Sequence, residues 1–333
     1  MKAGTTKKFF RIESVLFLVL LLEIGIFSIT GSNFATRNNI FEMLRLSTEI
    51  GLLALVMTPI ILTGGIDLSV GSLLGLSAII FGKLWRDAHF PIAGAAAGTI
   101  LFGAAGGALN ALLITRLRLP PLIVTLGSFS LFRGLAEAVT RGVDNFTNFP
   151  SGFLVLGQGY IFGGLPVQVT ILISVALIVY LLVHRTTLGR SFRAIGFAPQ
   201  GARFAGIPVE GRLTLAYILA GSVAAVAALV YVARVGQAKA DAGTGYELLA
   251  ITAVVLGGAS IFGGTGTVAG TLLGVAILAV LKTGLTLSDQ PSELAGILTG
   301  GLLLGVLAAE ALVAKIFARR QRAASVTVET VIS

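Results

Sequence analysis

The sequence predicts an all-α integral membrane protein, a polytopic bundle of about ten transmembrane helices, from three observations. Charged residues are few, 39 of 333, and most fall between long apolar runs rather than along them. With 55% hydrophobic residues and a mean hydropathy of +0.95, the chain has too little polar surface to enclose a water-soluble globule. The apolar runs show no alternation of polar and apolar residues, which excludes a membrane barrel and leaves the helix as the spanning element.

Ten spans are read, at 13–31, 41–62, 67–84, 91–114, 121–140, 165–183, 213–234, 248–262, 267–286 and 293–314. The first follows a basic start and resembles a secretory signal over Val15–Leu22. Its apolar stretch runs on to about Thr30 with no A-x-A site, so it is expected to be a retained helix. Pro59 lies near the end of the second span and Pro91 at the start of the fourth. Pro120 and Pro121 open the fifth, where a missing N–H costs nothing. The eighth, Leu248–Phe262, is short for a full crossing and ends among Gly257, Gly258, Gly263 and Gly264. A half-helix or re-entrant element is expected there, since irregular backbone at membrane depth survives only when protein or a water-filled cavity surrounds it.

The gaps between spans alternate in basic content. The N-terminal tail, 115–120, 184–212 and the C-terminal tail hold 15 of the 24 Lys and Arg residues, against six in the intervening gaps and their edges. Lys and Arg in short loops fix orientation, so both termini are expected to be cytoplasmic. This pattern and anionic headgroups account for the net charge of +9, and no arginine-aromatic patch points to nucleic acid. With no Cys, disulfides and thiolate chemistry are excluded. His89 and His184 are predicted about a membrane thickness apart, too far for a shared metal. No stretch is long or polar enough for a separate soluble domain, so residues 1–333 are read as one membrane domain.

Glycine, 43 residues, recurs at a spacing of four in pairs such as Gly71/Gly75, Gly103/Gly107, Gly270/Gly274, Gly296/Gly300 and Gly301/Gly305. Such spacing lets helix backbones approach closely where no hydrophobic drive acts between them. An internal echo joins the two halves. Gly64–Gly75 aligns without gaps to Gly263–Gly274, with six of twelve positions identical. It marks either a structural repeat or two similar Gly-Leu-rich helices.

The longest basic gap, HRTTLGRSFRAIGFAPQGARFAGIPVEGR at 184–212, carries five Arg and one acidic residue, Glu210. A short helix between glycine-flanked turns would present a basic, small-residue surface there, suited to a peripheral protein. An ordinary positive-inside loop is the plainer reading. TGGIDLSVGSLLG at 63–75, RTTLGRSFRAIG with ARFAGIPV within 185–209, and DAGTGYELLAITAVVLGGASIFGGTGTVAGTLLG at 241–274 are distinctive blocks. With ALNALLI at 108–114 and PPLIVTLGS at 120–128, they make nearly the whole chain resemble the sugar-type ABC importer permeases. That family includes the ribose, arabinose, xylose, rhamnose and autoinducer-2 permeases.

The resemblance implies the membrane subunit of a bacterial importer in the cytoplasmic membrane, without covalent chemistry of its own. It implies a second permease copy or paralogue, two ATPase domains and a periplasmic sugar-binding protein. In that family the 184–212 loop docks into the ATPase, and Arg190, Gly196 and Gly206 match its pattern; Ala198 stands where the family often has Asn. The chain holds no G-x-x-x-x-G-K-[ST] cradle, so it is expected to bind no cofactor itself and to rely on ATP-Mg on the partner ATPase.

Polar residues inside the spans are candidates for the path or its gate. A carboxylate at a helix centre costs about 2.5–3.5 kcal/mol on insertion, which singles out Glu23 and Asp67. Asp67 is expected at the mouth of the third span, capping its N-terminus or gating it. Glu23 lies deeper, protonated, paired or facing substrate. Asn110, Thr125 and Ser128 offer hydrogen bonds either to a hydroxylated substrate or between helices. Asp241 and Glu247 fall in an outward gap, as binding-protein contacts or as solvated loop charges. The rival reading is an ion-coupled secondary sugar transporter using Asp67 or Glu23 as its proton carrier; a passive channel is a second rival.

Overall fold

The computed structural model describes residues 12–161, 164–291 and 293–308. The basic tails that carried the orientation argument lie largely outside these residues. The architecture is a helix bundle. In order come α1 (Ile12–Thr30), α2 (Arg37–Leu62), α3 (Val70–Gly82), α4 (Ile92–Thr115), α5 (Pro121–Thr140), α6 (Ser151–Gln158) and α7 (Val167–Tyr180). After them come α8 (Thr187–Phe197), α9 (Pro199–Phe204), α10 (Val209–Val235), α11 (Tyr246–Leu256), α12 (Val268–Leu287) and α13 (Glu293–Ala308). Single π-helical turns extend α3 through Lys83–Asp87 and α7 through Leu181–Arg185. A two-stranded hairpin, β1 (Tyr160–Ile161) with β2 (Leu165–Pro166), joins α6 to α7.

Seven of the helices are long and apolar enough to cross a membrane: α1, α2, α4, α5, α7 with its π turn, α10 and α12. The shorter α11 and α13 are also apolar, and α3 is too. Helices follow where the apolar runs predict them, and Pro121 opens α5 as expected. The eighth span is broken as expected. Its α11 has eleven residues, about 16 Å at 1.5 Å per residue, and the chain then turns through Gly257–Thr267 before α12.

The innermost helix is α2, whose Gly51–Leu62 stretch is buried throughout. Around it pack α7, α10, α11 and α12, and α3 packs on α10, with Leu52, Leu55, Ile60, Leu73, Phe81, Tyr217 and Val254 in one continuous core. Near the periphery, α1 leaves Phe17, Leu18, Leu22 and Ile29 exposed, and α5 leaves Leu122, Ile123 and Leu126 exposed. Such faces are stable only against lipid or another apolar surface.

Glycine sets how closely the inner helices approach. An added Cβ at Gly103 or Gly107 of α4 would overlap the backbone carbonyls of Gly221 and Tyr217 on α10. Gly270 and Gly274 of α12 stand likewise against Gly257 and Ala253 of the α11 segment. A Cβ added at Gly296, Gly300, Gly301 or Gly305 of α13 would meet nothing within 4 Å among the described residues. The same spacing motif thus marks close contact in the core and an open face at the edge.

Candidate functional site

The two halves of the internal echo meet at one end of the bundle. Gly64 follows the end of α2 and Gly263 precedes α12; both hold positive φ, 79° and 91°. Only glycine adopts that backbone freely, so each half turns sharply before its next helix. The turns are hydrogen-bonded to one another, Gly264 N–H donating to the Leu62 carbonyl at 2.9 Å. Gly196, near the end of α8, is pressed into the same junction: a Cβ there would overlap the Leu62 carbonyl and the Gly264 amide. Gly196 is therefore a bundle contact that lets α8 sit directly on both halves of the echo.

The 184–212 loop forms two short helices against this junction. Thr186 caps α8 by accepting the Leu188 N–H at 3.1 Å, and Pro199 restarts the chain as the first residue of α9. Phe192 enters the main core, while Ile195, Ala202 and Val209 form a small cluster binding α8 and α9 to the start of α10. Arg193 donates to the Val183 carbonyl at 3.0 Å, and His184 Nε2 accepts the Val268 N–H at 3.2 Å. Burial lowers the Arg193 guanidinium below its ordinary pKa. The π turn of α7, α8 and the start of α12 are thereby one connected unit.

The outward side of this unit is apolar and basic. Phe204 is 93% exposed and Phe197 70% exposed, with Arg190 exposed on the same helix pair. Gly206 makes the turn after α9 at φ 78° with no neighbour within 4 Å. Arg203 is paired with Glu210 at 2.7 Å on the surface. Phe204 carries a sequence signal of its own, the one aromatic residue, directly after Arg203, in the glycine- and alanine-rich stretch Gly201–Gly206.

Four of the five candidate path residues come together in the interior. Asp67 Oδ1 accepts from the Ser69 N–H at 2.8 Å and the Ser69 hydroxyl at 2.6 Å. Asn110 Nδ2 on α4 donates to Ser69 Oγ at 2.8 Å, and Ser128 Oγ on α5 donates to Asn110 Oδ1 at 2.5 Å. Thr125, one turn before Ser128, donates to the Ile66 carbonyl at 3.1 Å. Asp67, Asn110, Thr125 and Ser128 are all buried. Ser69, rather than Asp67, occupies the N-cap position of α3, and its side chain makes no capping bond to that helix. Asp67 holds the preceding turn instead. Glu23 stands apart on α1, half-buried, with Oε2 lacking a hydrogen-bond partner among the described residues.

Two further polar sites lie beyond that network. Glu49 of α2, fully buried, pairs with Arg234 of α10 through Oε1 and Nε at 2.7 Å. Glu49 was as visible in the sequence as Glu23, a carboxylate within an apolar span; its partner 185 residues away was not. Glu247, expected in an outward gap, opens α11 and is only 6% exposed. Its Oε2 fills the place where a Cβ on Gly71 of α3 would stand. Arg133 of α5 donates to the Ala240 and Ala242 carbonyls just before it. Asp241 is the exposed member of this group. Among the described residues no three His, Asp or Glu side chains converge to hold a metal ion.

Residues 39–307 match the family described as the permease component of the branched-chain amino acid transport system. Among curated proteins, the autoinducer 2 import system permease protein LsrD of Photorhabdus luminescens is 38% identical over 301 residues, covering 88% of this chain and 89% of the relative. LsrD of Yersinia enterocolitica is also 38% identical, over 304 residues, covering 89% of this chain and 90% of the relative. An inward-facing metal-chelate type ABC transporter structure aligns with a TM-score of 0.50 at 19% identity, over 90% of this chain and 98% of that one, and shares the fold. Buried polar clusters inside an apolar multi-helix bundle, a small helix pair seated on a glycine junction, and a family match across most of the chain agree. The chain belongs to the family of membrane permease components of transport systems, and is a multi-pass transport subunit rather than an enzyme.

Proposed function

We propose that this chain is the permease of an ABC importer for a sugar or sugar-like small molecule of the autoinducer-2 class. A separate ATPase docks on α8 and α9 and supplies the energy. The observation that carries this reading is the outward side of the α8–α9 unit. Phe204 and Phe197 stand exposed beside Arg190, while the inward side is fixed by Gly196 to both halves of the bundle. Exposed aromatic and Arg side chains are the residue types that anchor protein interfaces. A partner seated there bears directly on the turns that lead into α3 and α12.

In this reading the α8–α9 end faces the cytoplasm, the ten apolar segments cross the bacterial inner membrane, and the whole chain is one membrane domain with both tails cytoplasmic. A periplasmic binding protein delivers substrate at the opposite end, where Asp241 is exposed. A second permease copy or paralogue completes the path, and ATP-Mg is held by the ATPase alone. The support is the relatives' import role, the basic gaps at the α8–α9 end, and nearly full-length coverage.

The test is uptake into proteoliposomes. The permease, co-purified with its ATPase and supplied with its binding protein, is offered labelled pentoses, deoxyhexoses and autoinducer-2 with and without internal ATP. Uptake that requires ATP identifies the substrate and sustains the reading. Uptake driven by an ion gradient without the ATPase overturns it.

A further inference from the structure

Asp67, Ser69, Asn110 and Ser128 form an unbroken run of hydrogen bonds across three separate elements. The first two residues stand on the turn between α2 and α3, the third on α4 and the fourth on α5. The start of that turn belongs to the glycine junction, where Gly64 abuts Gly263 and α8 presses through Gly196. The far end reaches a helix whose outward face is open, with Leu122, Ile123 and Leu126 exposed. Thr125 adds a parallel bond from α5 to the Ile66 carbonyl of the same turn.

We propose that this run is the mechanical linkage that carries a displacement of α8 into α5, with Asn110 and Ser128 as its positioning residues. The inference rests on the importer reading and assigns to that reading the residues that couple ATPase movement to the membrane path. Two physical features favour a linkage. The junction has no slack, since the contacts of Gly196 and Gly263 are backbone against backbone. Beyond it, hydrogen bonds buried in an apolar interior are directional, and a half-broken one leaves a polar group unsatisfied. Apolar contacts in the same place would allow α5 to slide past α4. Asn110 is the branch point, donating toward the turn and accepting from α5, a double role that a carboxamide can fill and a carboxylate cannot.

The test uses the full complex with ATPase and binding protein in proteoliposomes, reading substrate moved per ATP hydrolysed. Ser128→Ala, made with Thr125→Val so that no parallel bond remains, cuts the α5 end, and Asn110→Leu removes both bonds of the carboxamide without burying a charge. In each, assembly and basal ATP hydrolysis stay near the unaltered level while uptake per ATP falls at least about tenfold, the scale of one lost buried hydrogen bond. Ser128→Thr keeps the hydroxyl and restores the ratio.

Because the chain contains no Cys, spin labels at Leu126→Cys on α5 and Val155→Cys on α6, a helix outside the run, give a second readout. Their distance shifts on ATP binding in the unaltered complex and stays fixed with Ser128→Ala and Thr125→Val together. An unchanged ratio and an unchanged label shift in both variants overturn the linkage. So does a matched loss of basal hydrolysis, assembly and uptake that Ser128→Thr fails to rescue. Failure of the importer reading shows differently, as absence of ATP-driven uptake in the unaltered complex, and takes the linkage with it.

Discussion

Glu49 and Arg234 lie 185 positions apart in sequence and 2.7 Å apart in space, joining α2 to the last turn of α10 in the interior. The carboxylate is fully buried and its Oε2 has no hydrogen-bond partner among the described residues, so the guanidinium carries most of its compensation. Removing one partner of such a pair strands the other charge, which costs more than removing both. Arg234→Met is therefore expected to lower stability by about 3–5 kcal/mol. Glu49→Gln combined with Arg234→Met should recover much of that loss. Thermal unfolding of the purified permease in detergent, run on both variants, checks the order.

Gly196 and Gly206 were singled out together from the sequence, yet the structure separates them. A side chain at Gly196 meets the Leu62 carbonyl and the Gly264 amide, which are backbone and cannot step aside. Gly196→Ala should cost about 1–3 kcal/mol, as overpacked sites do, and loosen α8 from the bundle. Gly206→Ala meets no neighbour and costs only the strain of a positive φ, about 1 kcal/mol. Limited proteolysis within α8 and α9 distinguishes them: faster cutting is expected for Gly196→Ala alone.

Phe204 contributes little to the fold, because 93% of it is exposed. Phe204→Ala should leave the melting temperature unchanged. If the ATPase docks on α8 and α9, the same change weakens its association by roughly tenfold or more, the scale of an interface anchor. Arg190→Glu should do likewise by reversing a surface charge. Co-purification and binding titrations against the ATPase read both effects, and unchanged affinity in both variants removes this face as the docking surface.

How much was legible in the sequence follows from the range of the interactions. Helix positions were readable because apolar runs and prolines act locally; Pro121 opens α5 and the glycines after Leu256 end α11. The broken eighth span was readable for the same reason. Asp67, Asn110, Thr125 and Ser128 were each visible as polar residues in apolar surroundings, but their union into one network depends on how three elements pack. Glu247 was misplaced because a charge near a predicted helix end looks solvated, and its burial depends on Gly71 of another helix. The exposure of Phe204 was not legible, because an exposed aromatic has no periodic signature.

The glycine spacing that recurs along the chain should prove unequal in weight. In α4, Gly103 lies against the Gly221 carbonyl and Ala225 of α10, and the closeness of these helices depends on there being no side chain between them. Gly103→Leu inserts a branched side chain where even a Cβ overlaps backbone, so it should prevent recovery of a folded, monodisperse protein. In α13, a Cβ at Gly301 meets nothing within 4 Å among the described residues, and Gly301→Leu should fold with a stability change of a few tenths of a kcal/mol, set by helix propensity. Size-exclusion profiles and melting temperatures in detergent test that contrast. Should Gly301→Leu keep its melting temperature while losing association between permease copies, the open face of α13 is the surface that a second copy covers, since close helix approach through small residues is the usual means of packing in a membrane.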